Sequence, residues 1–297
     1  MYIKYTISTR RTLKYAWWLL LLTVVYTYLI YLMSDRFTLG IPPAIPAVLA
    51  TAVSLLLGFR TNSAYNRWWE ARKNWGGIIA YSRTFSRQVK SYIPKDYVNY
   101  KRVVKRLIYL QLAFVYAHRN ALRQSGSRED YEKFMDPSDI NRIRTYDNVP
   151  VGILNIQASI LGELHSEGVI EAVTMANMDR TLKNITLSMG GNERIKNTVF
   201  PVQYSVFTRA AIFIYAVLFP FGIISQEAIG MIVLTFSVVF FFIIIDAIGS
   251  YLKDPFENKN SDIPISSLAR SIEIDLLELM EEKDIPPKLI MKNGVLM

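Results

Sequence analysis

Cysteine is absent from all 297 residues, and histidine occurs only twice, at His118 and His165. Without thiols there is no disulfide framework, no thiol nucleophile and no cysteine-ligated metal site. The two histidines are far apart, and neither has a carboxylate or a second histidine at metal-ligand spacing, so each reads as an ordinary helix residue. No phosphate-binding loop, dinucleotide glycine pattern or nucleophile elbow is present. Internal repeats, low-complexity tracts, paired acid–base carboxylates and strand-type alternation are also lacking. These absences leave no catalytic residue, metal site or cofactor to nominate, and they argue against an enzyme.

What the chain has instead is long apolar runs. It is 51% hydrophobic and 20% charged, a combination that fits a membrane protein only if the two kinds of residue are segregated along the sequence. They are. A bilayer core needs about 20 mainly apolar residues in a helix, and four stretches qualify, at 15–33, 41–59, 204–224 and 228–248. Trp17, Trp18, Tyr26, Tyr28 and Tyr31 lie within the first, and those at its ends suit the membrane interfaces. Pro42, Pro43 and Pro46 fall in the opening turns of the second, where missing amide donors cost least. The first stretch is too long for a secretory signal and has no small-residue cleavage pattern. Ser225, Gln226 and Glu227 alone join the last two, which makes them antiparallel neighbours.

The formal net charge of +9 raises the question of nucleic acid, but no nucleic-acid-binding motif accompanies it. Lysine and arginine have a simpler use on the cytoplasmic face of a membrane, against anionic headgroups. Lys4, Arg10, Arg11 and Lys14 precede the first span, and Arg60, Arg67, Arg72 and Lys73 follow the second. The short links carry only Asp35 with Arg36, and Glu227. By the positive-inside rule both termini and the central region are cytoplasmic, in a multi-pass membrane protein. The chain thus divides into 1–59 with the first two spans, a helical cytoplasmic region 60–203, the second pair of spans 204–248, and a cytoplasmic helix and tail 249–297.

Within 60–203, Val103, Leu107, Leu110, Phe114, Ala117 and Ala121 form one helical stripe. The polar stretch 126–147, with Pro137, reads as loop with short helical turns. Asn148 and Pro150 start another helix that ends near Gly168, and a further one runs to a break at Gly190–Gly191. After the last span a capped helix begins near Pro264, with Ile265, Leu268, Ile272, Leu276 and Leu279 inward. The residues around Pro286 and Pro287 look extended. Near the span ends, Asp246 and Arg209 either pair or snorkel to the interface.

The second span is the informative one. Thr51, Leu55 and Phe59 are spaced by four and stack on one helical face. Helical spacing then continues without a break through Gly58, Arg67, Trp68, Glu70, Arg72 and Trp75, so a single helix leaves the bilayer. Packing, lipid contact and an (i, i+3) pair of Arg67 with Glu70 account for these residues from periodicity alone.

The run from Gly58 to Gly76 resembles the signature of the bestrophin family, in its bacterial branch. The likeness extends through Pro201 and Tyr204 at the third span to Asp254, Pro255 and Phe256 after the fourth. It implies an all-α membrane protein with four transmembrane helices per subunit and a helical cytoplasmic region, assembled as a homopentamer around one central pore. By position, Thr51, Leu55 and Phe59 would form the apolar neck of that pore, and Val173 would lie at a cytoplasmic constriction. Apolar rings gate by dewetting. The family passes small monovalent ions; it is best known for anion channels, with cation permeation in the bacterial branch.

Two departures stand out. Thr51 is polar where the family usually has a bulky aliphatic residue, which makes that end of the neck wetter. The stretch 257–262, which matches the calcium-binding run of animal members, keeps only Glu257 and Asp262 and adds Lys259, too little for a calcium site. On selectivity the residues pull both ways: Arg60 favours anions if it faces the pore, whereas Asp35 and Glu227 draw cations to the outer mouth. A membrane transporter, or a membrane-anchored interaction protein, is the alternative to a channel.

Overall fold

The structure, a computed structural model, describes residues 9–34, 36–37, 40–224 and 227–291, with backbone alone for 9–16. Lys4, Asp35, Ser225 and Gln226, and the side chains of Arg10, Arg11 and Lys14, therefore lie outside the described residues. The described residues form ten α-helices and no strand: α1 (Thr9–Ser34), α2 (Ala44–Tyr92), α3 (Tyr100–Arg123), α4 (Glu129–Glu132), α5 (Pro137–Ile143), α6 (Val149–Ser166), α7 (Ala172–Asn197), α8 (Val202–Gly222), α9 (Ala228–Leu252) and α10 (Ile265–Leu279). They group into two compact units, one of Tyr5–Trp68 with Val199–Asp254, the other built mainly from Trp69–Thr198 and Pro255–Met297.

In the first unit, α1, α8 and α9 and the start of α2 are long and apolar enough to cross a membrane. Pro42 and Pro43 precede α2 instead of opening it, and Pro46 sits in its first turn. One internal cluster joins Val53 and Leu57 of α2 to Ile212 and Tyr215 of α8 and Phe242 of α9. A second joins Leu20 of α1 to Val239 of α9. Small residues let these helices approach closely: a Cβ on Gly222 would lie 2.6 Å from Pro46 Cγ, and one on Gly249 would lie 3.2 Å from Thr61 Oγ1. Two buried threonine hydroxyls donate to their own helix, Thr23 to Leu19 O and Thr27 to Thr23 O, each at 2.8 Å.

The second unit packs around α3, which is buried on all sides from Leu110 to His118. The single stripe expected for α3 is therefore too narrow, and Ala121, its last member, is exposed. Burial all round carries polar groups inward, and some of them bond to one another. Gln111 Nε2 donates to Ser82 Oγ at 2.8 Å, and Gln157 Nε2 donates to Gln111 Oε1 at 3.1 Å. Arg106 holds the buried Asp139 through two bonds, at 2.9 and 2.7 Å. Helix α6 starts as the sequence suggests, with Asn148 Oδ1 accepting from Val151 N at 3.3 Å.

Two expectations fail. The chain does not break at Gly190–Gly191, because α7 runs through both to Asn197. Gly191 serves close approach instead: a Cβ there would meet Asn74 Nδ2 of α2 at 2.6 Å, just as one on Gly77 would meet Ser188 Oγ of α7 at 2.6 Å. Helix α10 begins where expected but has no side-chain cap. Beyond it, the described residues up to Met291 are non-helical, and Arg270 Nη1 donates to Pro287 O at 3.3 Å.

His118 is the most consequential buried group of this unit. Its ring stacks on Phe114 and lies 5.6 Å from that of the fully buried Trp75, and Asn192 Nδ2 is 3.3 Å from its Nε2. Burial pushes the imidazole from its ordinary 6.5 down to about 3. Between those values the unfolded chain takes up a proton that the folded chain refuses. Stability therefore falls as pH drops from 6.5 toward 3, by up to about 1.4 kcal/mol per pH unit for this group. Melting of the detergent-solubilised protein across that range is expected to be flatter for His118→Phe than for the parent. Equal steepness would remove His118 as the source.

Candidate functional site

An α-helix advances 100° per residue, so positions 53, 57, 60 and 64 share one stripe of α2 and positions 51, 55, 59, 62 and 66 the opposite one. The first stripe is the buried one in Val53, Leu57, Arg60 and Ala64. The opposite stripe is exposed throughout, with Leu55 at 54% and Phe59 at 61%. Thr51 lies on it as well, but its Oγ1 donates to Ala47 O at 3.1 Å. The hydroxyl is thus engaged within its own helix, which tempers the polarity expected of this position.

Arg60 does not share the face of Leu55 and Phe59. It is 2% exposed and held on the far side of α2, where its guanidinium pairs with Asp246 of α9 and Nη2 donates to Ser250 Oγ at 2.8 Å. Arg209 Nε stands 3.6 Å from the other oxygen of Asp246. Of the two fates open to Asp246, pairing is the one adopted, with Arg60 as an unforeseen second partner. The stripe 53–57–60–64 was the available signal, because it puts Arg60 in register with α2's packing residues. A charge so buried is tolerated only when paired and hydrogen-bonded.

The signature residues mostly organise helix contacts. Trp68 stacks near Tyr65, their centroids 6.3 Å apart, while Arg67 and Arg72 are half-buried. Glu70 pairs with Arg194 of α7, a partner that local spacing could not reveal. A Cβ on Gly58 would meet nothing. Asp254 Oδ2 is 3.5 Å from Lys253 Nζ, Pro255 O accepts from Ile263 N at 3.2 Å, and Phe256 is buried. Val173, in the first turn of α7, is 70% exposed.

The stretch 257–262 is committed to its own loop. Asp262 is buried and its Oδ2 accepts from Lys259 N at 3.0 Å, while Glu257 pairs with Lys259. Burial raises the Asp262 carboxyl above its usual range. Among the described residues, no group of three or more His, Cys, Asp or Glu could hold a metal ion. His165 Nδ1 lies 3.0 Å from Ile170 O, beyond the end of α6.

Removing one member of the buried pair strands the other. Arg60→Ala or Asp246→Leu alone is expected to destabilise the protein by about 3–5 kcal/mol, whereas Arg60→Met with Asp246→Leu should recover most of that loss. Melting temperatures in detergent check this; a double variant no better than the singles would mean that the pair does not hold α2 to α9.

The family model for the bacterial/fungal bestrophin proteins matches residues 5–278. The voltage-dependent anion channel-forming protein YneE of Escherichia coli K12 is 28% identical over 274 residues, covering 91% of this chain and 88% of that protein. A protein of the same description from Mesorhizobium japonicum is 28% identical over 243 residues, covering 82% of this chain and 76% of its own. The crystal structure of a bacterial Bestrophin homolog from Klebsiella pneumoniae superposes with a TM-score of 0.82 over 89% of this chain and 98% of that one; at 23% identity this likeness speaks to the fold.

Proposed function

Because the chain belongs to the bacterial/fungal bestrophin family, we propose that it is an ion channel of the membrane, a homopentamer whose five copies of α2 surround one pore for small monovalent anions. The observation that carries this reading is the exposed stripe of α2. Val48, Leu55 and Phe59 are 70%, 54% and 61% exposed, directly opposite the stripe that packs inside the subunit. A membrane helix gains nothing by excluding Phe59 from its own subunit unless lipid or other copies receive it. If α2 alone lines the pore, each subunit supplies one lining helix, so a pore needs several copies about a symmetry axis.

In this arrangement Thr51, Leu55 and Phe59 form three rings of an apolar neck. An ion in a narrow apolar ring loses hydration without replacement ligands, so the neck closes by dewetting and opens by a small widening. Val173 supplies a second apolar ring at the cytoplasmic exit. The anion preference follows the names of the curated relatives. Arg60 is not its source, since that charge is buried against Asp246. Calcium has no part in the gate, because Glu257 and Asp262 are held by their own loop. The membrane is the inner bacterial one, with both termini cytoplasmic. A transporter finds no support in the four unbroken span helices, since alternating access is built on broken ones.

Light scattering in mild detergent should give five times the 34.2 kDa chain mass; a monomer or dimer would contradict the assembly. In planar bilayers, Leu55→Ala with Phe59→Ala should raise single-channel conductance several-fold, while Leu19→Ala in α1 should leave it unchanged. Neck variants that conduct like the parent would move the pore off this face of α2.

A further inference from the structure

The exposed stripe of α2 changes chemistry immediately after Phe59. Taking Leu55 as zero, the 100° step puts Asn62 and Asn66 about 20° to either side of it. They lie one and two turns beyond the last apolar ring, in the same compact unit as the neck positions. Both are exposed, and among the described residues neither carboxamide has a hydrogen-bond partner. No charged residue shares this stripe between Phe59 and Trp69.

On the pore reading above, we propose that Asn62 and Asn66 form the site that receives a monovalent anion as it leaves the neck, and that they set the ion preference of the channel. An ion crossing Leu55 and Phe59 has shed water, and it needs ligands where the apolar wall ends. Each carboxamide offers two N–H donors and an acceptor oxygen, and with its amide nitrogen turned to the axis each ring gives an anion N–H ligands. Being uncharged, they hold the ion weakly enough to release it, as conduction requires. The only carboxylate of α9 at this end of the spans, Asp246, is pinned by Arg60 and Arg209 and does not compete.

The test is the chloride-to-sodium permeability ratio, read from reversal potentials of purified channels in planar bilayers under a sodium chloride gradient. Asn62→Asp and Asn66→Asp keep the side-chain shape and should lower that ratio several-fold, with the reversal potential moving toward sodium. Asn66→Lys should move it the opposite way. Size-exclusion profiles confirm assembly of each variant, and Asn66→Ser replaces any that fails to assemble, with reduced conductance expected. If Leu55→Ala with Phe59→Ala raises conductance while no Asn62 or Asn66 variant alters ratio or conductance, this assignment is overturned and the pore reading stands. If none of these changes has any effect, both fall.

Discussion

Each residue of α2 turns 100° from the one before, so the stripe that fastens the helix to α8 and α9 also decides which side chains it turns away. Val53 and Leu57 pack against Ile212, Tyr215 and Phe242, and Arg60 closes the stripe on Asp246 and Ser250. Leu55 and Phe59 then have no place inside the subunit. The orientation rests on ordinary packing together with one buried ion pair that is costly to leave half-made. The proposed neck needs no further device to hold its apolar rings outward.

The same helix leaves the membrane unit and continues to Tyr92 without a break. Beyond Trp68 its inward residues include Ala71, Trp75, Ile78 and Phe85, and small or short partners admit close helix neighbours, as at Gly77 with Ser188 and Asn74 with Gly191. The signature stretch is thus mostly about packing, with Trp75 covering His118 and Glu70 reaching Arg194. The residues that would meet an ion lie on the other side of α2, upstream of Trp69.

Long-period features were legible in the sequence. The four apolar spans and the continuous α2 follow from runs and spacing, and the start of α6 follows from Asn148 followed by Pro150, because each depends on residues near one another in the chain. Features that depend on a distant partner were not. Gly190–Gly191 reads as a break by propensity, yet the missing Cβ of Gly191 makes room for Asn74, more than a hundred residues away. Arg60 reads as a cytoplasmic charge by position, yet Asp246 makes it a packing residue. The stripe on α3 undercounts burial because α6, α7 and α10 all pack around that helix, and periodicity assumes one solvent face. Of the candidate site, the spacing of Thr51, Leu55 and Phe59 was legible as one face; that the face is turned out of the subunit needed the opposite stripe to be seen buried.

The absence of cysteine makes α2 open to direct mapping. Single cysteines placed from 51 to 66 can be treated with a charged thiol reagent while current is recorded through reconstituted channels. The account predicts block at 51, 55, 59, 62 and 66 and none at 53, 57, 60 and 64. Block in the second set, or with no helical period, would contradict a pore lined by the exposed face of α2.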